Sequence, residues 1–142
     1  MKIVINDCHG GFGLSKEAMM LYGELAGITL YPVDQKPWSL GIVTYWTVPE
    51  DQRVQGKSGH EYVEMSFSER IAHNEAISKQ QLWYRDIERN DPLLVQVVET
   101  LGSKANGRHA DLKVVDIPDG VEWQIEEYDG SERIAEVHRT WC

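Results

Sequence analysis

The stretch Asp7-Cys8-His9-Gly10-Gly11-Phe12-Gly13 decides how this chain folds, because it separates a short apolar segment from an amphipathic one. The preceding Lys2-Ile3-Val4-Ile5-Asn6 is rich in β-branched residues and predicts a strand. Residues 14–27 carry apolar side chains at helical spacing, and Ser15 is placed to cap that helix. We therefore predict a strand that turns directly into a helix through a glycine-rich connection.

Residues 7–13, here called the glycine loop, have two interpretations. In the first, the glycines serve only a tight turn. In the second, they let the backbone approach a ligand closely, and the amides at the helix start hold an anion such as phosphate. The spacing matches neither the Gly-x-Gly-x-x-Gly fingerprint nor the P-loop, which ends in Gly-Lys-Ser or Gly-Lys-Thr. The residues alone leave both interpretations open.

Composition limits the classes of protein to which the chain can belong. Its 142 residues, 42% of them hydrophobic, predict a single domain over residues 1–142 with a polar insertion around residues 44–65. No apolar run reaches membrane-spanning length, so no membrane partner is expected. Cys8 and Cys142 are too few for a disulfide framework, which favours a cytoplasmic protein. The formal net charge of −9 argues against DNA or RNA binding, since phosphate backbones attract clustered Lys and Arg.

The order of predicted elements indicates an α+β fold, with a mostly antiparallel sheet packed against two or three helices and a C-terminal β-hairpin. Asp91-Pro92 is a sharp helix start, with Asp as the N-cap, and Asp129-Gly130 is a strong hairpin signal. A polar stretch over residues 49–59 predicts a long exposed loop. Further helices are predicted over residues 67–80 and 92–101, and further strands over residues 28–33, 41–48, 82–87, 112–117, 121–128 and 132–141.

Two C-terminal segments offer cations to a ligand. Residues 103–109, here called the basic loop, contain Lys104, Asn106 and Arg108, which either only turn the chain or supply a cation and an amide. On the last predicted strand, Arg139 shares a face with apolar neighbours. It therefore either pairs with a nearby glutamate or binds a phosphate through its planar guanidinium.

No catalytic constellation is evident, so we predict no catalytic residue, no metal and no cofactor. Cys8 and His9 are adjacent in sequence, which rarely brings two side-chain tips together productively. The other histidines lack the close spacing of zinc ligands. The five tryptophans either pack in the core or stack on a base.

Several segments of the chain occur together in one protein family. They are the first strand with Cys8-x-Gly10-Gly11-Phe12-Gly13-Leu14-Ser15, then Asp91-Pro92-Leu93-Leu94-Val95, Ala105-Asn106-Gly107-Arg108, Ile117-Pro118-Asp119-Gly120-Val121-Glu122-Trp123, Ile125-Glu126-Glu127-Tyr128-Asp129-Gly130 and His138-Arg139-Thr140-Trp141. With these segments the chain resembles the first Thoeris anti-defence family of phages. The middle, residues 32–78, is outside the resemblance.

The resemblance implies a ligand-binding protein without enzyme activity, acting as a sponge in the host bacterial cytosol. It would sequester cyclic ADP-ribose signals, and in some members cyclic oligonucleotides, without degrading them. The family pocket is built from more than one chain, so a homo-oligomer, either a dimer or a hexamer, is implied. The ligand-binding residues carried over are those inside matching motifs: Gly10, Gly11, Phe12, Gly13, Asn106, Arg108 and Arg139.

Two other classes of function stay open. An enzyme that hydrolyses a cyclic nucleotide messenger would need turnover and an activated acid–base pair. An acidic protein–protein inhibitor of a host factor would have a protein partner and no small ligand.

Overall fold

The computed structural model describes residues 1–34 and 42–137, and the chain divides into two compact units. Unit 1 comprises Met1–Gly27 and Tyr84–Cys142, and unit 2 comprises Ile28–Trp83. The predicted α+β class is confirmed, since the described residues form four α-helices and six strands. The strands of this described part pair into three separate two-stranded antiparallel sheets.

The helices and strands alternate irregularly along the chain. In order they are β1 (Lys2–Asn6), α1 (Lys16–Ala26), β2 (Tyr31–Asp34), β3 (Val43–Trp46), α2 (Gly59–Glu64), α3 (Phe67–Lys79), α4 (Pro92–Leu101), β4 (Leu112–Asp116), β5 (Trp123–Tyr128) and β6 (Ser131–Glu136). None of the helices in the described ranges is long and apolar enough to cross a membrane.

Unit 1 is organised around β1, which pairs with β4 so that Ile5 lies opposite Lys113. The central residues of β1 are buried on both faces of the strand, and α4 packs against them. The helix α4 begins as its sequence predicts: Pro92 is the first helical residue, and an Asp91 carboxylate oxygen accepts a hydrogen bond from the Leu93 amide at 2.8 Å. Its apolar stripe is buried, with Leu94 and Val97 fully inaccessible to solvent.

The predicted C-terminal hairpin is formed by β5 and β6. Its turn residues Asp129 and Gly130 both have positive φ angles, 50° and 85°, as tight two-residue hairpin turns require. Glu127 lies opposite Glu132 in the register of this pair. The strand predicted over residues 132–141 is observed as Ser131–Glu136, and residues 138–141 lie outside the described part of the chain.

Unit 2 contains the β2–β3 pair and the helices α2 and α3. The helix α3 is confirmed, and the Ser66 hydroxyl caps it by accepting a hydrogen bond from the Glu69 amide at 3.2 Å. The helix α2 was not predicted. It begins at Gly59, the last residue of the exposed loop expected over residues 49–59, and the rest of that stretch has no buried residue and includes a 3₁₀ turn at Glu50–Gln52. Ser58 caps that helix in the same way, through the Glu61 amide at 3.1 Å. The sequence contains the capping residue Ser58, but α2 has no buried residue. It therefore lacks the apolar stripe by which a helix is predicted from sequence.

The prediction of a strand over residues 82–87 is wrong. Extended pairing in this region ends with a bridge between Trp46 and Gln81 and a hydrogen bond from the Leu82 amide to the Tyr45 carbonyl at 2.9 Å. A 3₁₀ turn follows at Tyr84–Asp86. Tyr84 and Ile87 are three residues apart, which is the 3₁₀ period, so the apolar pattern that resembled a strand belongs to a tighter helical turn.

Candidate functional site

The glycine loop and the basic loop, both predicted to bind ligand, lie side by side. The Ser15 amide donates to the Ala105 carbonyl at 3.0 Å, and the Gly107 amide donates to the Gly13 carbonyl, also at 3.0 Å. Leu14 and Asn106 form an isolated antiparallel bridge between these hydrogen bonds. The start of α1 is thereby fixed to the residues that follow α4, two segments far apart in sequence.

Glycine is required at two positions of this contact because the two backbones approach closely. A Cβ atom on Gly10 would lie 1.8 Å from the carbonyl oxygen of His109, and one on Gly107 would lie 2.7 Å from the carbonyl carbon of Gly13. Gly11 has a φ of 116°, which favours glycine for conformational reasons. Packing of one loop on the other therefore explains why residue 10 is a glycine, without any ligand.

The predicted polar residues of the basic loop have different surroundings. The Asn106 side chain points along its own chain, where its Oδ1 accepts a hydrogen bond from the Leu112 amide at 2.8 Å and fixes the start of β4. Arg108 and His109 are exposed at the surface of the loop, and the His109 backbone lies next to Gly10. The remaining predicted cation, Arg139, lies outside the described residues.

Phe12 faces inward and packs between two side chains. The guanidinium carbon of Arg89 lies 3.4 Å from the centre of the Phe12 ring, which is a cation–π contact. Tyr84 packs against the same ring with a centroid separation of 5.8 Å. Phe12 therefore anchors the glycine loop to the segment that precedes α4.

Arg89 also makes an ion pair with Glu132 that sequence analysis did not identify. Its two terminal nitrogens donate to the two carboxylate oxygens of Glu132 at 2.7 and 2.8 Å, and the Glu132 side chain is only 6% exposed. The same carboxylate accepts a hydrogen bond from the Asn6 amide at 2.8 Å. A buried carboxylate is tolerated here because each of its oxygens is paired with a charged or polar donor.

Asn6, the last residue of β1, joins four segments although it is completely buried. Its Nδ2 donates to the carbonyls of Cys8 at 2.8 Å and Gly130 at 2.7 Å, and its Oδ1 accepts from the Asp111 amide at 2.8 Å. The Cys8 thiol lies 3.3 Å from the same Oδ1. The sequence indicates this role of Asn6 by its position: it is a polar amide at the end of an otherwise apolar strand, and a turn follows at once.

A cavity of about 470 Å³ opens beside the hairpin tip, and it contains none of the predicted site residues. We call it the hairpin cavity; it is lined by His9, Glu126, Glu127, Tyr128, Ser131, Glu132 and Arg133. The glycine loop reaches it through His9, since a Cβ atom on Gly130 would lie 2.7 Å from the His9 carbonyl oxygen. The cavity and the two-loop contact are therefore neighbours that share the glycine loop.

Comparison with known proteins adds no relative, because the chain matches no family model, no curated protein and no solved structure. Within residues 1–34 and 42–137, no group of three or more His, Cys, Asp or Glu side chains is arranged to hold a metal ion.

Proposed function

We propose that this protein is a sponge that binds cyclic ADP-ribose-type messengers, and related cyclic oligonucleotides, without degrading them, as the Thoeris anti-defence resemblance implies. The observation that supports this most is the contact between the glycine loop and the basic loop. It places the basic loop, which carries the exposed Arg108, against the glycine loop, where Gly11 has open space in the position that a Cβ atom would take.

An anionic ligand needs donors of this kind. A guanidinium binds a pyrophosphate through charge-assisted hydrogen bonds, and glycine amides allow close approach of the phosphate oxygens. Because the whole chain carries a formal charge of −9, a local cation is necessary to hold such a ligand. Retention without turnover requires only donors, whereas hydrolysis would also require an activated acid–base pair.

The proposal includes self-association in the host bacterial cytosol. A homo-oligomer, dimer or hexamer, is what the resemblance implies, because the family pocket draws residues from more than one chain. Light scattering of the purified protein with and without cyclic ADP-ribose measures the mass directly. A monomer under both conditions would contradict this part of the proposal.

A capture assay tests the binding function. The purified protein is incubated with cyclic ADP-ribose isomers and with cyclic di- and trinucleotides, and free compound is measured by chromatography before and after denaturation. We expect depletion of at least one compound and its intact release on denaturation. Release of a converted product would indicate an enzyme, and no depletion would favour an inhibitor that binds a host protein.

The variant Arg108→Ala tests the location of the site. Loss of a charge-assisted hydrogen bond of about 1.5–3 kcal/mol weakens capture roughly tenfold to a hundredfold. The matched control is Lys2→Ala, which removes one positive charge from an exposed ion pair with Glu99 at the opposite end of β1. Arg139→Ala tests the second predicted cation. Unchanged capture in both arginine variants would mean that the site lies elsewhere.

A further inference from the structure

The strand β5 has one edge that pairs with no other strand among the described residues. Its other edge is bonded to β6, and the two strands form a sheet of their own. Since β6 is the strand that lies next to β1, β5 is the outer strand of the hairpin. An unpaired sheet edge presents a row of backbone donors and acceptors to which an extended segment of another chain can add.

The register of the hairpin shows which backbone groups point outward from this edge. In an antiparallel pair, positions that exchange hydrogen bonds alternate with positions that do not. The Val137 amide donates to the Glu122 carbonyl at 2.9 Å, and these two residues lie opposite each other when the register of β5 and β6 is continued by one pair. The bonded positions of β5 are therefore the even-numbered ones. The amides and carbonyls of Trp123, Ile125 and Glu127 point away from β6.

Most of the features that usually prevent edge pairing are missing from β5. The strand has six residues, with no proline and no lysine among them, and its register with β6 is continuous, without a bulge. Trp123 and Ile125 are large apolar residues that are only half-buried. The charged residues Glu126 and Glu127 remain, and they restrict which strand can pair here.

A second copy of β5 can pair antiparallel with the first in a register that keeps these glutamates apart. Two registers align the outward groups along most of the strand, over residues 123–127 or over residues 124–128 of both copies. In the second register, Glu126 lies opposite Glu126 of the other copy, which is unfavourable. In the first, Ile125 lies on the two-fold axis, Trp123 faces Glu127 of the other copy, and Gln124 faces Glu126. No two carboxylates are then directly opposed.

Contacts within the hairpin support the same register. Arg133 balances the charge of Glu126, since its nitrogen atoms lie 2.6 and 2.8 Å from one carboxylate oxygen. Ile125 lies opposite Ile134 on β6. With Ile125 on the two-fold axis, the isoleucines of both copies form one row across the joined strands, and such rows of β-branched side chains stabilise sheets.

We propose that β5 pairs antiparallel with β5 of a second copy of this chain over residues 123–127, with Ile125 on the two-fold axis. The two hairpins then form one sheet in the order β6-β5-β5-β6. This inference rests on the proposed function and deepens it, since it names the surface through which the homo-oligomer forms. Continued by one residue, the register places Glu122 of the second copy opposite Tyr128, whose ring lies 6.5 Å from that of His9. The second copy thus reaches the hairpin tip beside the glycine loop.

Crosslinking between cysteine variants tests the register. In full chains that also carry Cys142→Ser, Gln124→Cys and Glu126→Cys should each give little crosslinked dimer alone, because each faces a different residue of the second copy. Mixed, left to exchange subunits and mildly oxidised, the two variants should crosslink about fivefold more than either alone, since directly opposed Cβ atoms lie about 4.5–5.5 Å apart. Ile125→Cys should crosslink with itself. No excess in the mixture would overturn the proposal.

Sedimentation equilibrium tests the contribution of β5 to self-association. Ile125→Lys sets two cations against each other at the two-fold axis and should weaken self-association about tenfold or more. Ile71→Lys is the matched control, since it makes the same change at an isoleucine of α3 in unit 2 that is 42% exposed. Circular dichroism checks that both variants are folded. An equal loss of self-association in the two variants would contradict the proposal.

The two proposals fail in different assays. Capture of a cyclic ADP-ribose isomer, together with no excess crosslinking in the mixture, would overturn pairing through β5 and leave the sponge intact. Crosslinking in the mixture, together with no capture of any cyclic compound, would support pairing through β5 and overturn the sponge. A wild-type chain that stays monomeric would overturn the self-pairing in favour of an extended segment of another protein.

Discussion

Buried polar side chains fix the geometry around the glycine loop. Asn6 and Glu132 are both buried, and each is surrounded by donors or acceptors from chain segments that are distant in sequence. Among the described residues no buried side-chain nitrogen or oxygen lacks a hydrogen-bond partner. Such a network specifies one arrangement of loops, because any other arrangement leaves a buried polar group unpaired.

Two glutamates of the hairpin provide a matched test of how burial changes the contribution of an ion pair to stability. Glu132→Gln removes the negative charge opposite Arg89 in a buried pair and should lower the free energy of unfolding by about 3 kcal/mol. Glu126→Gln makes the same change in the exposed pair with Arg133 and should cost at most about 1 kcal/mol. Urea unfolding of both variants measures the difference. Equal losses would show that the Arg89 pair does not stabilise the fold more than the surface pair does.

Tyr22 gives the protein an alkaline pH dependence. Desolvation, followed by a 2.7 Å hydrogen bond to Asp91 and the charge of that carboxylate, raises the pKa of Tyr22 to about 12. A raised pKa contributes stability that is present below the unfolded pKa of about 10 and is lost as the pH rises toward 12.

The variant Tyr22→Phe should therefore flatten the decline in stability above about pH 10, although it loses the hydrogen bond at neutral pH. Urea midpoints across the alkaline range measure this slope. The pKa of Tyr45 is also raised to about 12, mainly by desolvation, so part of the decline should persist in the variant. A slope identical to that of wild type would contradict the role of Tyr22.

At the scale of elements, close approach between turns constrains the fold as much as strand pairing does. Gly130 and Gly120 have nearly the same φ, 85° and 82°, but only Gly130 has backbone atoms within van der Waals range of an added Cβ. The two positions therefore separate backbone strain from contact with the glycine loop.

The substitution Gly120→Ala should cost about 1–2 kcal/mol, the strain of a left-handed alanine. Gly130→Ala should cost more, because its Cβ would also lie 2.8 Å from the Gly11 nitrogen and must displace the glycine loop. Urea unfolding gives the two costs, and amide NMR shifts at His9 and Gly11 report the displacement. Similar costs with unchanged shifts would mean that the loop adapts without strain.

Elements with strong local signals could be predicted from the sequence, whereas long-range contacts could not. The cap at Asp91 and the turn at Asp129-Gly130 are local in sequence and were identified correctly. The pairing of Arg89 with Glu132 joins residues 43 positions apart, and no periodicity points to it. The strand predicted at residues 82–87 failed because a short apolar run does not distinguish an extended segment from a 3₁₀ turn.

At the scale of the molecule, burial is distributed unevenly between the two units. In unit 1, α4 has four buried residues: Leu94, Val95, Val97 and Val98. In unit 2, neither α2 nor α3 has any buried residue among those described, and Phe67 is 80% exposed. Helices of this length depend on a packed apolar face for most of their stability, so α3 is expected to open more readily than α4.

Hydrogen exchange measured by mass spectrometry tests this difference. Peptides covering β1 and α4 should exchange slowly, at rates set by global unfolding, because their amides are protected by the buried core of unit 1. Peptides covering residues 59–79 should exchange much faster through local opening that leaves unit 1 folded. Added urea should then accelerate exchange in α4 steeply and in α3 only weakly, since global unfolding exposes far more surface than local opening does. Protection of α3 equal to that of α4 in the purified protein would show that another surface covers the apolar side chains of α3 in solution, and the mass from light scattering would show whether that surface belongs to a second copy of the chain.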